Sequence, residues 1–174
     1  LYRTHRQAEL IEDCLVKEGI PYVVLGKDNT LADRRVRGAL AFFRVLCDPK
    51  DSVALGTCLR AESVPPAVLE KVADTYGQGK RTLSALSSIL ADAGETALAG
   101  RFGAYAPMMR KNTPAELLLQ WIEDHGYGEE PPACLVRLQN MAVFHRRMAD
   151  FLSSLTLGTE GDVKRSSSRT YVSD

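Results

Sequence analysis

Asp33-Arg34-Arg35-Val36-Arg37-Gly38-Ala39-Leu40-Ala41-Phe42-Phe43-Arg44-Val45-Leu46-Cys47-Asp48-Pro49 is the stretch on which the reading of the fold turns. Aspartate is a favoured helix N-cap. Behind Asp33, the residues Val36, Ala39, Leu40, Phe43 and Leu46/Cys47 recur at the spacing of one buried helix face. Asp48-Pro49 closes the segment, because a proline disfavours helical geometry in the residue before it. Arg34, Arg35 and Arg37 crowd the first turn and, with His145-Arg146-Arg147, form the densest basic runs of the chain. Such runs are commonly solvated helix faces; here they are also the candidates for phosphate contact.

The same signals repeat outward. Asp51 opens a short helix carrying Val53, Ala54, Leu55, Cys58 and Leu59. Pro65-Pro66 suits the first turn of another with Val68, Leu69 and Val72, ending near Gly77. Thr82 starts a helix through Leu83, Leu86, Ile89 and Leu90 to Gly94, and Thr96 to about Ala106 forms one interrupted by Gly100 and Gly103. Thr113-Pro114-Ala115-Glu116 combines an N-cap, a proline at the first helical position and a glutamate two residues on, launching Leu117 to Asp124. A last long helix is expected from about Ala133 to Leu155, with Leu138, Met141, His145, Met148, Leu152 and Leu155 near one face. Upstream, Thr4 and Gln7 cap a helix from about Arg6 to Glu18, followed by a strand at Ile20-Pro21-Tyr22-Val23-Val24-Leu25. Gly158 to Ser168 reads as a polar, mobile loop, and Thr170-Tyr171-Val172 as the start of a second strand. The expected fold class is therefore mainly α: a bundle-like array of about eight helices with one or two short strands at its edges.

Composition sets bounds. Of 174 residues, 45% are apolar and 25% charged, enough to build a core and too few charges for a disordered tail. Twenty-two Lys+Arg balance twenty-two Asp+Glu, so bulk positive charge does not hold this chain on nucleic acid. No apolar run approaches the ~20 residues of a membrane span. Cys14, Cys47, Cys58 and Cys134 form no metal-binding pattern and are expected as reduced, buried thiols of a cytoplasmic protein.

Several motifs lose to simpler readings. Gly77-Gln78-Gly79-Lys80-Arg81-Thr82 resembles a phosphate loop, but Asp74 stands where G-x-x-x-x-G-K-[ST] needs its first glycine and Arg81 where it needs Ser or Thr. A polar turn between helices suffices. His5, His125 and His145 have no nucleophile at a useful spacing, and Glu129-Glu130 before Pro131-Pro132 is a solvated turn. Leu1-Tyr2-Arg3-Thr4-His5-Arg6-Gln7 carries more. It places a tyrosine able to stack on a base and an arginine able to grip a phosphate directly before a capped helix.

That heptad resembles motif IV of superfamily-one DNA helicases of the UvrD/Rep/PcrA type, L-Y-R-T-N-A-Q-S. The likeness continues in Ile20-Pro21-Tyr22-Val23-Val24-Leu25-Gly26, similar to I-P-Y-x-x-x-G-G. It then runs through Arg34 to Leu46, similar to R-x-E-I-K-D-x-L-A-Y-L-R-L, and Cys47 to Leu55, similar to A-N-P-x-D-D-x-A-L. The resemblance implies an internal piece of an ATP-dependent 3′→5′ helicase lacking the N-terminal motor half. Residues 1–93 would open motor subdomain 2A, 94–157 would form much of the helical subdomain 2B, and 158–174 would lead to a strand before motif V. It implies that Arg3 approaches the γ-phosphate of ATP held with Mg²⁺ between the motor halves, and that Tyr2 lies against the adenine. The partners implied are single-stranded and duplex DNA; Arg34, Arg35 and Arg37, read from their basic run rather than from the resemblance, are the candidate DNA contacts. The piece alone would neither bind nor hydrolyse ATP. The P-x-R-G-I-G turn of the family is absent: Arg60 to Pro66 reads R-A-E-S-V-P-P, and His5 and Lys27 replace family Asn and Gly. From about Thr57 onward the likeness is one of length and helical character. A stand-alone helical interaction module and a DNA-binding regulator acting through Arg34, Arg35 and Arg37 are the alternative readings.

Overall fold

Side-chain caps set where the helices begin. Asp33 accepts from the Arg35 amide at 2.8 Å and Asp51 from the Ala54 amide at 2.8 Å, while Thr82 accepts from the Ala85 amide at 3.3 Å. Each supplies an acceptor to a first-turn N–H that the helix leaves unpaired. Thr113 and Glu116 close the full reciprocal box: the Glu116 carboxylate accepts from the Thr113 amide at 2.7 Å and the Thr113 hydroxyl from the Glu116 amide.

The computed structural model describes residues 30–155, and Cys14 outside that span. A 3₁₀ turn, Thr30–Ala32, leads into α1 (Arg34–Cys47), α2 (Ser52–Ala61), α3 (Pro66–Gln78), α4 (Leu83–Asp92), α5 (Thr96–Met108), α6 (Pro114–Asp124) and α7 (Ala133–Ala142). A further helical stretch, α8, covers 148–155. The described residues contain no strand, so the fold is mainly α. Both expected strands, the loop over Gly158 to Ser168 and the helix from Arg6 to Glu18 lie outside the described residues, except that Cys14 is helical. None of the described helices is long and apolar enough to cross a membrane.

α1 is the spine. Val36, Ala39, Phe42, Phe43 and Val45 are wholly buried. The Phe42 ring stacks on Phe102 of α5 at 4.9 Å and meets Tyr105 edge-on at 5.2 Å. Tyr105 in turn donates its hydroxyl to Asp124 Oδ2 at the end of α6, at 2.7 Å. Offset and edge-on aromatic pairs add roughly 0.5–1.5 kcal/mol each beyond the area they bury. One apolar cluster therefore runs unbroken across residue 93, where the motor-like and accessory-like parts were expected to meet. On its other side α1 lies against α2 so closely that a Cβ on Gly38 would sit 2.9 Å from Ala61 Cβ.

The long helix expected over 133–155 is two helices. α7 ends at Ala142, a turn covers 143–147, and α8 begins at 148. α7 buries Leu135, Leu138 and Ala142, whereas α8 buries Met148, Phe151, Leu152 and Leu155. At 100° per residue these two sets would lie about 120° apart around a single axis, so only a break lets both reach the core. His145, expected on the buried stripe, lies in the break and is half-buried.

All four cysteines are free thiols, but only Cys58 is buried; Cys134 is half-buried, and Cys14 and Cys47 are exposed. Cys47 falls just beyond the buried edge of α1 that Leu46 completes. The Gly77–Thr82 segment is the end of α3 and the connection to α4, with the Thr82 hydroxyl engaged as a cap.

Candidate nucleic-acid interface

The three first-turn arginines of α1 diverge, because positions 34, 35 and 37 fan around a helix rather than lining one face. Arg35 folds back on the cap: its Nε donates to Asp33 Oδ1 at 3.1 Å and its Nη2 to Asp33 Oδ2 at 3.0 Å. Those bonds hold the Asp33 carboxyl far below the usual carboxylate range and push the Arg35 guanidinium up. Its charge is thus locally neutralised. Arg34 reaches across to α2, with Nη2 at 3.5 Å from the Arg60 carbonyl oxygen. The Arg37 side chain, exposed, forms no hydrogen bond or ion pair among the described residues. It borders an open groove of about 420 Å³ between α1 and α2, beside Leu40, Arg44, Val53 and Thr57. Arg34 and Arg37 are the pair that can face a phosphate together; Arg35 serves the cap.

The turn after α2 stands where the family resemblance led to the expectation of Gly-Ile-Gly. Its amides are all used internally: Glu62 N–H donates to Cys58 O at 3.0 Å, Ser63 N–H to Arg60 O at 3.2 Å and Val64 N–H to Leu59 O at 3.0 Å. This is a Schellman closure with Ser63 in the left-handed region at φ 60°. Two other helices close in the same pattern but with glycine there, Gly94 at φ 92° and Gly126 at φ 75°. A turn whose N–H groups are spent on the preceding helix has none to offer a phosphate.

Glu62 instead joins a half-buried polar cluster that no spacing in the sequence announced. Arg101 Nη2 of α5 donates to Glu62 Oε2 at 2.5 Å, and Arg101 Nη1 lies 2.6 Å from His125 Nε2 at the end of α6. The same Nε2 is 3.0 Å from Glu62 Oε1, so it accepts from Arg101 when bare and donates to Glu62 when protonated. His125 Nδ1 lies 2.7 Å from the Trp121 carbonyl oxygen, and the imidazole stacks on the Trp121 ring at 3.7 Å. Burial pushes the Glu62 carboxyl up, but His125 and Arg101 more than offset it and hold it below its ordinary value. The cluster has no nucleophile and no open coordination position; it ties the turn after α2 to α5 and α6. Glu62 and His125 are 63 residues apart, which is why sequence reading missed them.

Tyr2 and Arg3 lie outside the described residues. Among the described residues no group of His, Cys, Asp and Glu side chains could hold a metal ion.

The family model for the UvrD-like helicase C-terminal domain matches residues 1–91, just over half of the chain. Among curated proteins, the ATP-dependent DNA helicase UvrD1 of Mycobacterium tuberculosis (strain ATCC 25618 / H37Rv) is 27% identical over 188 aligned positions, covering 92% of this chain and 24% of that protein. The ATP-dependent DNA helicase PcrA of Staphylococcus epidermidis (strain ATCC 12228 / FDA PCI 1200) is 27% identical over 78 positions, 44% of this chain and 11% of that protein. PcrA of Staphylococcus aureus (strain Mu50 / ATCC 700699) is 26% identical over 74, covering 41% and 10%. The chain thus spans about a quarter or less of the length of these relatives. No solved structure matches it.

Proposed function

Because the chain belongs to the UvrD-like helicase C-terminal domain family, we propose that it is part of a 3′→5′ DNA helicase that couples ATP hydrolysis to movement along single-stranded DNA in the cytoplasm. The observation that carries the reading is the family match over residues 1–91, which includes Tyr2 and Arg3. In this reading Arg3 reaches the terminal phosphate of the nucleotide and Tyr2 packs on its base, both against a nucleotide-binding half upstream. Bound ATP with Mg²⁺ supplies the free energy; the chain's own task is to place a planar bidentate cation where charge develops on the transferring phosphoryl group.

Arg34 and Arg37 meet the DNA backbone in this proposal, with Arg35 contributing less because Asp33 already occupies its guanidinium. The separation at residue 93 is one of role, motor before and accessory after, since the aromatic core is continuous across it. The accessory helices hold the turn after α2 through Arg101 and His125. DNA contact by that turn's backbone is not part of the proposal. The test is hydrolysis by the longer reading frame that contains this chain. ATP turnover stimulated by single-stranded DNA is the expected result, and a reading frame with no nucleotide-binding half upstream refutes the proposal.

A further inference from the structure

The break between α7 and α8 leaves an unusual surface. Phe144 is 59% exposed and Val143 49%, two of the four large apolar side chains that the described residues show to solvent. The next residue turns the other way. His145 donates its backbone N–H to Ala142 O at 3.1 Å, its ring packs 5.4 Å from Phe151, and its Nε2 lies 3.2 Å from Ser154 Oγ. Phe151 N–H closes the base of the turn on Arg147 O at 3.2 Å. His145 is thus a peg that pins the turn to α8, and pinning it holds Phe144 outward with Arg146 and Arg147 exposed beside it. Neither arginine side chain makes a hydrogen bond or ion pair among the described residues. The turn itself, residues 143–147, carries two arginines and no Asp or Glu, with Asp150 the first carboxylate after it.

From this geometry we infer that the 143–147 turn is a second DNA-binding site, which seats an unpaired base on Phe144 and its flanking phosphates on Arg146 and Arg147. Val143 and Phe144 together expose adjacent apolar surface rimmed by two arginines, the kind of surface that marks a binding site. A base with its backbone offers both surfaces this turn needs, a π face for the ring and anionic oxygens for the guanidinium groups. The bases of an intact duplex are stacked away inside and cannot present that face, so the DNA this turn takes is single-stranded. The two exposed guanidinium groups of the turn fit a polyanion and disfavour a basic protein partner. The inference shares with the proposed function only the choice of DNA as ligand, and it uses none of the ATP-cleft residues.

Fluorescence anisotropy of the full chain tests it, with a labelled single-stranded oligonucleotide and with the same strand annealed to its complement. The single strand is expected to bind more tightly. Phe144→Ala should weaken that binding by roughly 5-fold to 150-fold, the usual range for loss of one base–aromatic stack, whereas Phe144→Tyr and Phe144→Trp retain it. Arg146→Ala and Arg147→Ala should each flatten the slope of log K against log salt by about 0.7. Unchanged melting temperatures show that these exposed positions leave the fold intact. Three results overturn the inference: no binding by the wild-type chain, Phe144→Ala binding as wild type, or sedimentation showing that Phe144 instead holds two copies together. If Arg34→Ala and Arg37→Ala weaken DNA binding while Phe144→Ala does not, the proposed function stands and this site falls.

Discussion

Gly38→Ala probes the closest approach that a methyl added at any described glycine would meet. The added methyl would sit 2.9 Å from Ala61 Cβ. Two carbons rest at about 3.5–4.0 Å, so α1 and α2 must part by roughly 1 Å or tilt. The neighbour is a methyl fixed to a helix backbone and cannot swing aside. Overpacking of this kind costs ~1–3 kcal/mol, while replacing a mid-helix glycine with alanine returns up to ~1 kcal/mol of helix propensity. A net loss of up to about 2 kcal/mol is expected, read as a lower urea midpoint at constant slope. The discriminating experiment is the double-mutant cycle with Ala61→Gly, which vacates the space the new methyl needs. In that background Gly38→Ala should turn stabilising, giving a coupling of about 1–3 kcal/mol. Additivity within ~0.5 kcal/mol, or stabilisation by Gly38→Ala alone, would refute the close approach of the two helices.

Three further outcomes follow from single positions. Ser63→Gly should stabilise the chain by about 0.5–1 kcal/mol in chemical denaturation, because Ser63 is the one Schellman residue of three that holds a left-handed backbone with a side chain. Thr113→Ala should cost ~1 kcal/mol by the same measurement through loss of the capping box. Glu62 has a folded-state pKa held below its ordinary value of 4.5, so its contribution is complete above that pH and is lost as the pH falls through the folded value. Melting curves from pH 7 down to pH 3 should therefore show wild type and Glu62→Gln converging as the pH drops; a constant gap would show that the carboxylate's charge is not what stabilises the turn.

The helices were legible because their signals are local. Asp33, Asp51, Thr82 and Thr113 each cap the helix they were expected to start, and the stripe of α1 up to Leu46 is buried in the core of the described residues. The same reasoning failed at 143–147, where no glycine or proline marks the break. Its cause is the phase of the next apolar set, and His145 bridged the two stripes in sequence while lying between them in space. The arginines were visible as a run, but their divergence depends on Asp33 and Arg60 as partners. The Glu62–Arg101–His125 cluster was invisible, since long-range packing assembles it from three helix ends and faces. Cys47 was placed one step too far into the stripe.

The most direct test of the proposed function is the rate of ATP hydrolysis by the longer protein containing this chain, carrying Arg3→Ala, with nucleotide affinity measured on the same protein. A cation aimed at the transferring phosphoryl group is typically worth ~10³–10⁵ in rate. The account predicts a fall in kcat of at least about 10³-fold with nucleotide binding still measurable. A kcat close to that of the wild type would contradict it.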